Sequence, residues 1–248
     1  VVVSRQGSFF EEGLMFICTP QILDKIEDAT RRAVEVRASH IDELDEHVKT
    51  PHRELDVFLG EIPGKDMLDI GCGQARYANR FIEAGMNYIG IDLSPSLVEI
   101  ARVRNPKLRF ETMSFRKLAF PNESFDGLWC CCSLMHEPKF NVPNVLGEMQ
   151  RVLRPGGIVH IVVPNYGSTG ETLAPIEGGG DILTHVSLWE LGSYDLSSNE
   201  LTSAYSTRST GSNISRSVLR RKNDRPGGNR LGRFLFNHSS SAITKFVL

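Results

Sequence analysis

The chain has 248 residues, 40% of them hydrophobic and 23% charged, with a formal net charge of −2. It is long enough to bury a sizeable core, and the near-neutral balance excludes a global pull toward nucleic acid or an anionic membrane. It has neither a run of about 18 apolar residues nor a basic leader at its start, so no membrane-spanning helix and no secretory signal peptide are expected.

In chain order, Thr19-Pro20 reads as a helix start, with Thr19 as N-cap and Pro20 in the first helical position. Ile22, Ile26, Ala29, Ala33 and Val36, then Ile41, Leu44 and Val48, recur at helical spacing, so residues 20–49 predict one or two helices with a charged outer face. Pro51 interrupts them, and His52–Leu59 predicts a further short helix. Strands and helices then alternate. Met67–Ile70, Tyr88–Ile91, Leu108–Glu111, Ser124–Cys132 and Ile158–Val163 read as strands, and Ala75–Ala84, Pro95–Arg104 and Asn144–Val152 as helices. Strands separated by helices of this length imply a parallel sheet with right-handed crossovers.

The alternation fails after about Asn165. Residues Ser193–Ser217 are rich in Ser, Thr and Asn. A basic run follows (Arg216, Arg220, Arg221, Lys222, Arg225, Arg230, Arg233), with the composition of a solvated or disordered segment. The same run is a candidate contact for nucleic acid. Leu231–Leu248 has two apolar stretches that could form a hairpin. The five cysteines are Cys18, Cys72, Cys130, Cys131 and Cys132, with no C-x-x-C pair. No metal site is expected, and small buried thiols suit a reducing cytoplasm.

Two features carry chemistry. The first strand runs into Asp69-Ile70-Gly71-Cys72-Gly73, a glycine loop where a ligand can approach the backbone. Free N–H groups at the start of the following helix would favour a carboxylate or phosphate. The second strand ends at Asp92, nineteen residues beyond Gly73. An acid there can accept from both ribose hydroxyls or cap the helix that opens at Ser94-Pro95. In this order and spacing the pair favours an adenosine ligand. Arg76 occupies the place where a dinucleotide fingerprint has its third glycine, which disfavours pyrophosphate.

Met67-Leu68-Asp69-Ile70-Gly71-Cys72-Gly73 resembles motif I of class I S-adenosylmethionine-dependent methyltransferases. Tyr88-Ile89-Gly90-Ile91-Asp92-Leu93-Ser94 is similar to the next motif of that family. Leu118-Ala119-Phe120-Pro121 with Ser124-Phe125-Asp126-Gly127 resembles the approach to its fourth strand, and Arg151-Val152-Leu153-Arg154-Pro155-Gly156-Gly157 the signature before its fifth. The resemblance implies a Rossmann-like, doubly wound α/β domain over residues 51–165, mainly parallel, with strand order 3-2-1-4-5. A helical lid over residues 1–50 and a divergent, irregular, partly disordered segment over 166–248 complete the expected organisation.

The resemblance also implies S-adenosylmethionine as cofactor. Asp69 and the backbone of Gly71, Cys72 and Gly73 would hold its amino-acid end, Asp92 its ribose, and Leu93 would pack on the adenine. Ser114 stands where many relatives carry an Asp that accepts from the adenine amino group. Phe115 would offer its N–H and ring, or simply pack in the core. Cys131 ends strand four at the sheet edge where such folds bind ligands and joins the cofactor-binding set. His136, just beyond, is the candidate general base, with a structural loop histidine as the alternative. The expected function is methyl transfer to a small-molecule acceptor. The alternatives are a tRNA-modifying methyltransferase and a cofactor-binding protein without catalysis.

Overall fold

A computed structural model describes residues 20–41, 52–164, 170–188, 214–220 and 245–247. Its frame is a seven-stranded sheet. Strands β1 (Asp66–Ile70), β2 (Asn87–Asp92), β3 (Arg109–Thr112), β4 (Phe125–Cys131) and β5 (Leu153–Pro164) are mutually parallel in the order 3-2-1-4-5. Helices α1 (Pro20–Ala38), α2 (His52–Glu61), α3 (Ala78–Glu83), α4 (Pro95–Arg104) and α5 (Val142–Val152) accompany them. Residues 42–50 and Thr19 lie outside the described residues, so the end of the expected 20–49 helix and its N-cap do too.

The central strands are short apolar runs because both of their faces are covered. Leu68, Ile70, Leu128 and Cys130 point to one side and pack with Val145, Leu146 and Met149 of α5. Met67 and Trp129 point to the other, against Leu55 and Phe58 of α2, Phe81 of α3 and Val98 of α4. That period of two is the pleat of a strand read through two layers of helix. Ser94 caps α4: its backbone is extended, its Oγ accepts from Leu97 N at 3.1 Å, and Pro95 follows in the first turn.

Helix α3 starts at Ala78, three residues later than expected. Gly71, Gly73 and Ala75 all have positive φ (72°, 56° and 64°), so the loop continues through the residues expected to form the first helical turn.

Beyond β5 the described residues are 170–188, 214–220 and 245–247. Strands β6 (Gly170–Pro175) and β7 (Leu183–Leu188) form an antiparallel pair apart from the main sheet, and β7 packs on α1 and on the turn Leu134–His136. Strand β8 (Ile214–Arg220) joins the main sheet antiparallel to β5, and β9 (Lys245–Val247) lies parallel to β8. Arg216 and Arg220, at the start of the basic run, lie in β8; the rest of that run, and most of the expected hairpin over Leu231–Leu248, lie outside the described residues. Along β6 only Gly170 and Ala174 are even half-buried, which leaves no apolar alternation to read. Among the described residues no helix is long and apolar enough to cross a membrane.

Candidate functional site

The carboxyl edges of β1, β2 and β4 converge on the glycine loop. Gly71 N and Cys72 N both donate to Ile91 O, at 2.8 and 2.9 Å, and Gly73 N donates to Asp92 Oδ2 at 2.9 Å. The free N–H groups expected nearby belong to the start of the following helix, not to these three residues. These three tie the loop to β2, because the late start of α3 leaves the loop as connecting chain. What the loop offers a ligand is space: a Cβ built on Gly73 would meet no atom within 4 Å. On Gly71 it would lie 1.9 Å from Ser133 Oγ, so Gly71 is glycine for the sake of the β4 turn.

Asp92 is buried at the end of β2. Its Oδ1 accepts from Ser94 N at 2.9 Å, so one carboxylate braces the glycine loop and the entry to α4 at once. Burial pushes its pKa up despite those bonds. Two N–H donors leave lone pairs over, because an ionised carboxylate accepts at about four positions. Asp69 stands behind the loop. It does not line the cavity described below; its Oδ2 accepts from the Tyr88 hydroxyl at 2.7 Å, and burial pushes its pKa up to about 7. It faces the packed α2–α4 layer, so direct contact with a ligand in the cleft, expected from its place in the motif, is not what the geometry provides.

Helix α1 closes the cleft from above. Glu35 accepts from Ser94 Oγ at 2.6 Å and from the Ser96 hydroxyl. Glu27 Oε2 accepts from Ser114 Oγ at 2.6 Å. Arg116 holds the same helix from below: Nη1 donates to Leu23 O at 2.6 Å, and Nε pairs with the buried Glu137 at 2.8 Å. At the other end, Arg37 Nη1 donates to Glu177 O, just beyond β6.

The result is one cavity of about 720 Å³. At one end its walls are Asp92, Leu93, Met113, Ser114 and Phe115 with Glu27, Thr30 and Val34 of α1. The glycine loop and Tyr77 form the middle. Cys131, Cys132, His136, Thr172 and Val186 form the far end beneath the β6–β7 pair. Cys131 Sγ lies 3.5 Å from the Tyr77 hydroxyl and 3.9 Å from Cys132 Sγ; the neighbouring thiol, with burial, pushes its own pKa well up. His136 Nδ1 is 3.3 Å from His185 O. A carbonyl only accepts, so the neutral ring carries its proton on Nδ1 and keeps the Nε2 lone pair. Burial lowers the His136 pKa, which keeps the ring neutral near pH 7.

A family model described as a methyltransferase domain matches residues 67–157, from β1 into β5. Residues 67–157 therefore form a methyltransferase domain. Among the most similar curated proteins, methyltransferase GfsG of Streptomyces halstedii is 31% identical over 166 residues, 63% of this chain and 59% of that one. Demethylmenaquinone methyltransferase of Tropheryma whipplei (strain Twist) is 32% identical over 122 residues, 48% of each chain. Trans-aconitate 2-methyltransferase of Deinococcus radiodurans is 33% identical over 119 residues, 46% of this chain and 43% of that one. The chain thus spans about half the length of the curated relatives it matches. In fold it is similar to the 1,6-didemethyltoxoflavin-N1-methyltransferase of Burkholderia thailandensis, solved with S-adenosylhomocysteine (TM-score 0.54, 18% identity, 67% of this chain and 73% of that one).

Within the methyltransferase domain, the fold brings Gly71, Cys72, Gly73, Asp92, Leu93, Ser114, Phe115, Cys131 and His136 to one cavity and leaves Asp69 behind it. The sequence reading missed the walls supplied from outside the domain: Glu27, Thr30 and Arg37 of α1, and Thr172 and Val186 of the β6–β7 pair. It also missed Tyr77, which the late start of α3 turns toward Cys131. Glu27 and Glu35 lie two helical turns apart beside the apolar stripe of α1, a weak sign that this edge is docked rather than solvated.

Proposed function

We propose that this chain is an S-adenosylmethionine-dependent methyltransferase that acts on a small-molecule acceptor. The single observation that carries the reading is the continuity of the cavity, from Asp92 and the glycine loop to His136 under the β6–β7 pair. The cofactor fits what the chain provides. Gly73 leaves open the space that any side chain would fill, Asp92 keeps acceptor capacity at the cleft wall, and Leu93 and Phe115 offer apolar surface for a base.

When bound, the cofactor supplies a methyl group already activated on a sulfonium, so the protein's work is orientation and exclusion of water. Asp92 takes the ribose hydroxyls. The backbone of Gly71, Cys72 and Gly73 with Cys131 borders the amino-acid end, and Asp69 supports the loop from behind through Tyr88. Leu93, Phe115 and Ser114 border the adenine. His136, neutral and carrying a free Nε2 lone pair, takes the proton from an acceptor hydroxyl or amine. Residues 51–165 form the cofactor-binding unit, and α1 with the β6–β7 pair forms its lid.

A roofed cavity suits a small acceptor better than a tRNA. The named substrates of relatives point the same way: demethylmenaquinone and trans-aconitate are small molecules, and a Serratia marcescens relative, 30% identical over 97 residues, acts on a malonyl group on acyl-carrier protein. A cytoplasmic setting belongs to the same proposal and is supported by the free thiols of Cys72, Cys130, Cys131 and Cys132.

The test has two stages. Calorimetric titration with S-adenosylhomocysteine should show binding. Labelled methyl should then pass from the cofactor into the small-molecule fraction of a cell extract. Label in the tRNA fraction alone would replace the acceptor class, and binding without any transfer would leave a non-catalytic cofactor protein.

A further inference from the structure

Helix α1 brings two polar side chains to the end of the cavity that Leu93, Met113 and Phe115 line. Glu27 is fixed there by Ser114, whose only hydroxyl proton goes to Glu27 Oε2 at 2.6 Å while its oxygen accepts from Arg116 N at 3.2 Å. Ser114 therefore has no proton left for a ligand and serves to orient the carboxylate. Arg116 Nη1 lies 3.5 Å from the same carboxylate oxygen and pairs with it. Thr30, one turn further along the same face of α1, lines the same end and is only 8% exposed, yet its Oγ1 has no hydrogen-bond partner among the described residues. A buried hydroxyl without a partner beside an open apolar slot indicates that a polar ligand atom belongs there.

An adenine edge matches this pair. Its exocyclic amine has two N–H groups to donate and its ring nitrogens accept, so a carboxylate and a hydroxyl one helical turn apart complement it. We infer that Glu27 of the N-terminal helix, oriented by Ser114 and assisted by Thr30, accepts a hydrogen bond from the adenine amino group and makes this site selective for an adenosine cofactor. The inference deepens the proposed cofactor reading and rests on it. It places the base-reading group on α1, outside the domain that the glycine loop belongs to, at the position where the resemblance implies an Asp and this chain has Ser114. Base recognition and closure of α1 over the cleft are then one event.

The test is calorimetric titration of the full chain with S-adenosylhomocysteine and with S-inosylhomocysteine, which carries an oxo group in place of the amine. The parent should prefer the adenosine ligand by about tenfold or more, the scale for a hydrogen bond to a charged group. Glu27→Ala should lose affinity for the adenosine ligand by about the same factor and bind the two ligands within about threefold of each other. Glu35→Ala loosens the same helix at Ser94 and Ser96 and should keep the parent's preference. A Glu27→Ala protein that retains the preference overturns the inference, and so does a Glu35→Ala protein that loses it, since helix docking alone would then account for the effect. A parent that binds the two ligands equally overturns the inference and leaves the cofactor reading standing. A parent that binds neither removes both.

Discussion

Replacing Gly71 and Gly73 one at a time by alanine should separate folding from binding. Both residues are left-handed, with φ of 72° and 56°, so each substitution costs about 1–2 kcal/mol for the backbone alone. At Gly73 nothing is added to that cost, because the new methyl meets no atom within 4 Å. For a chain of this size, the melting temperature should fall by about 2–8 °C. At Gly71 the methyl would come within 1.9 Å of Ser133 Oγ and 2.6 Å of Ser133 Cβ. Forced overpacking of that kind adds about 1–3 kcal/mol, which together with the backbone cost is a large part of a typical total stability of about 5–15 kcal/mol. Binding should behave in the opposite way. The methyl of Gly73→Ala projects into the cleft and should weaken S-adenosylhomocysteine by about 5- to 150-fold, the equivalent of about 1–3 kcal/mol of steric cost. Thermal melts and calorimetry on both variants read the two effects, and the double variant Gly71→Ala/Ser133→Gly should recover part of the lost stability. Normal affinity in a folded Gly73→Ala protein would refute the placement of the cofactor over this loop. A Gly71→Ala protein as stable as the parent would refute the role of the Ser133 contact.

Three further outcomes are expected. Asp69 titrates at about 7 in the folded chain, against an ordinary 3.8, because it is buried. The native state therefore keeps a proton that the unfolded chain releases near pH 4, and stability falls as pH rises from about 4 to about 7 and then levels, by roughly 4 kcal/mol at most. Asp69→Asn should flatten that part of the urea-unfolding profile, and an unchanged slope would show that Asp69 is not its source. Arg116→Ala strips a buried partner from Glu137 and an anchor from α1, and should cost about 3–5 kcal/mol in chemical unfolding; a loss under about 1 kcal/mol would mean that the pair is no more than a surface contact. His136→Ala should lower turnover by about 10²–10⁴-fold and leave cofactor affinity nearly unchanged. The parent rate should rise with pH through a value below 6.5 and be flat by neutrality, since burial holds the histidine pKa down. Full specific activity in a destabilised variant would assign His136 a structural role.

The element types of the parallel domain were legible because they follow from local signals, while the order of its strands came from the family resemblance. Short apolar runs such as Met67–Ile70, punctuated by Gly71, Gly73 and Ser94-Pro95, set the element types, and crossover handedness restricts how they can be laid side by side. The ribose-side candidate Asp92 was legible for the same reason, since the end of β2 is fixed once β1 and the loop are placed. The late start of α3 was not, because Ala75 takes a left-handed φ of 64° while its residue type is a strong helix former and gives no sign of it. The place of Asp69 was hidden too. Motif position suggests a ligand contact, whereas the pleat sends its side chain to the α2–α4 face, where Tyr88 receives it.

The sequence by itself determined a glycine loop and an acid at the ends of two parallel strands, because those features depend on residues close along the chain. Tertiary structure alone decided what encloses the cavity beside them. Glu27 meets Ser114 across 87 residues, and His136 meets His185 across 49. Contacts of that separation depend on how α1 and the β6–β7 pair dock, which is set by buried surface and hydrogen-bond partners that no local pattern records.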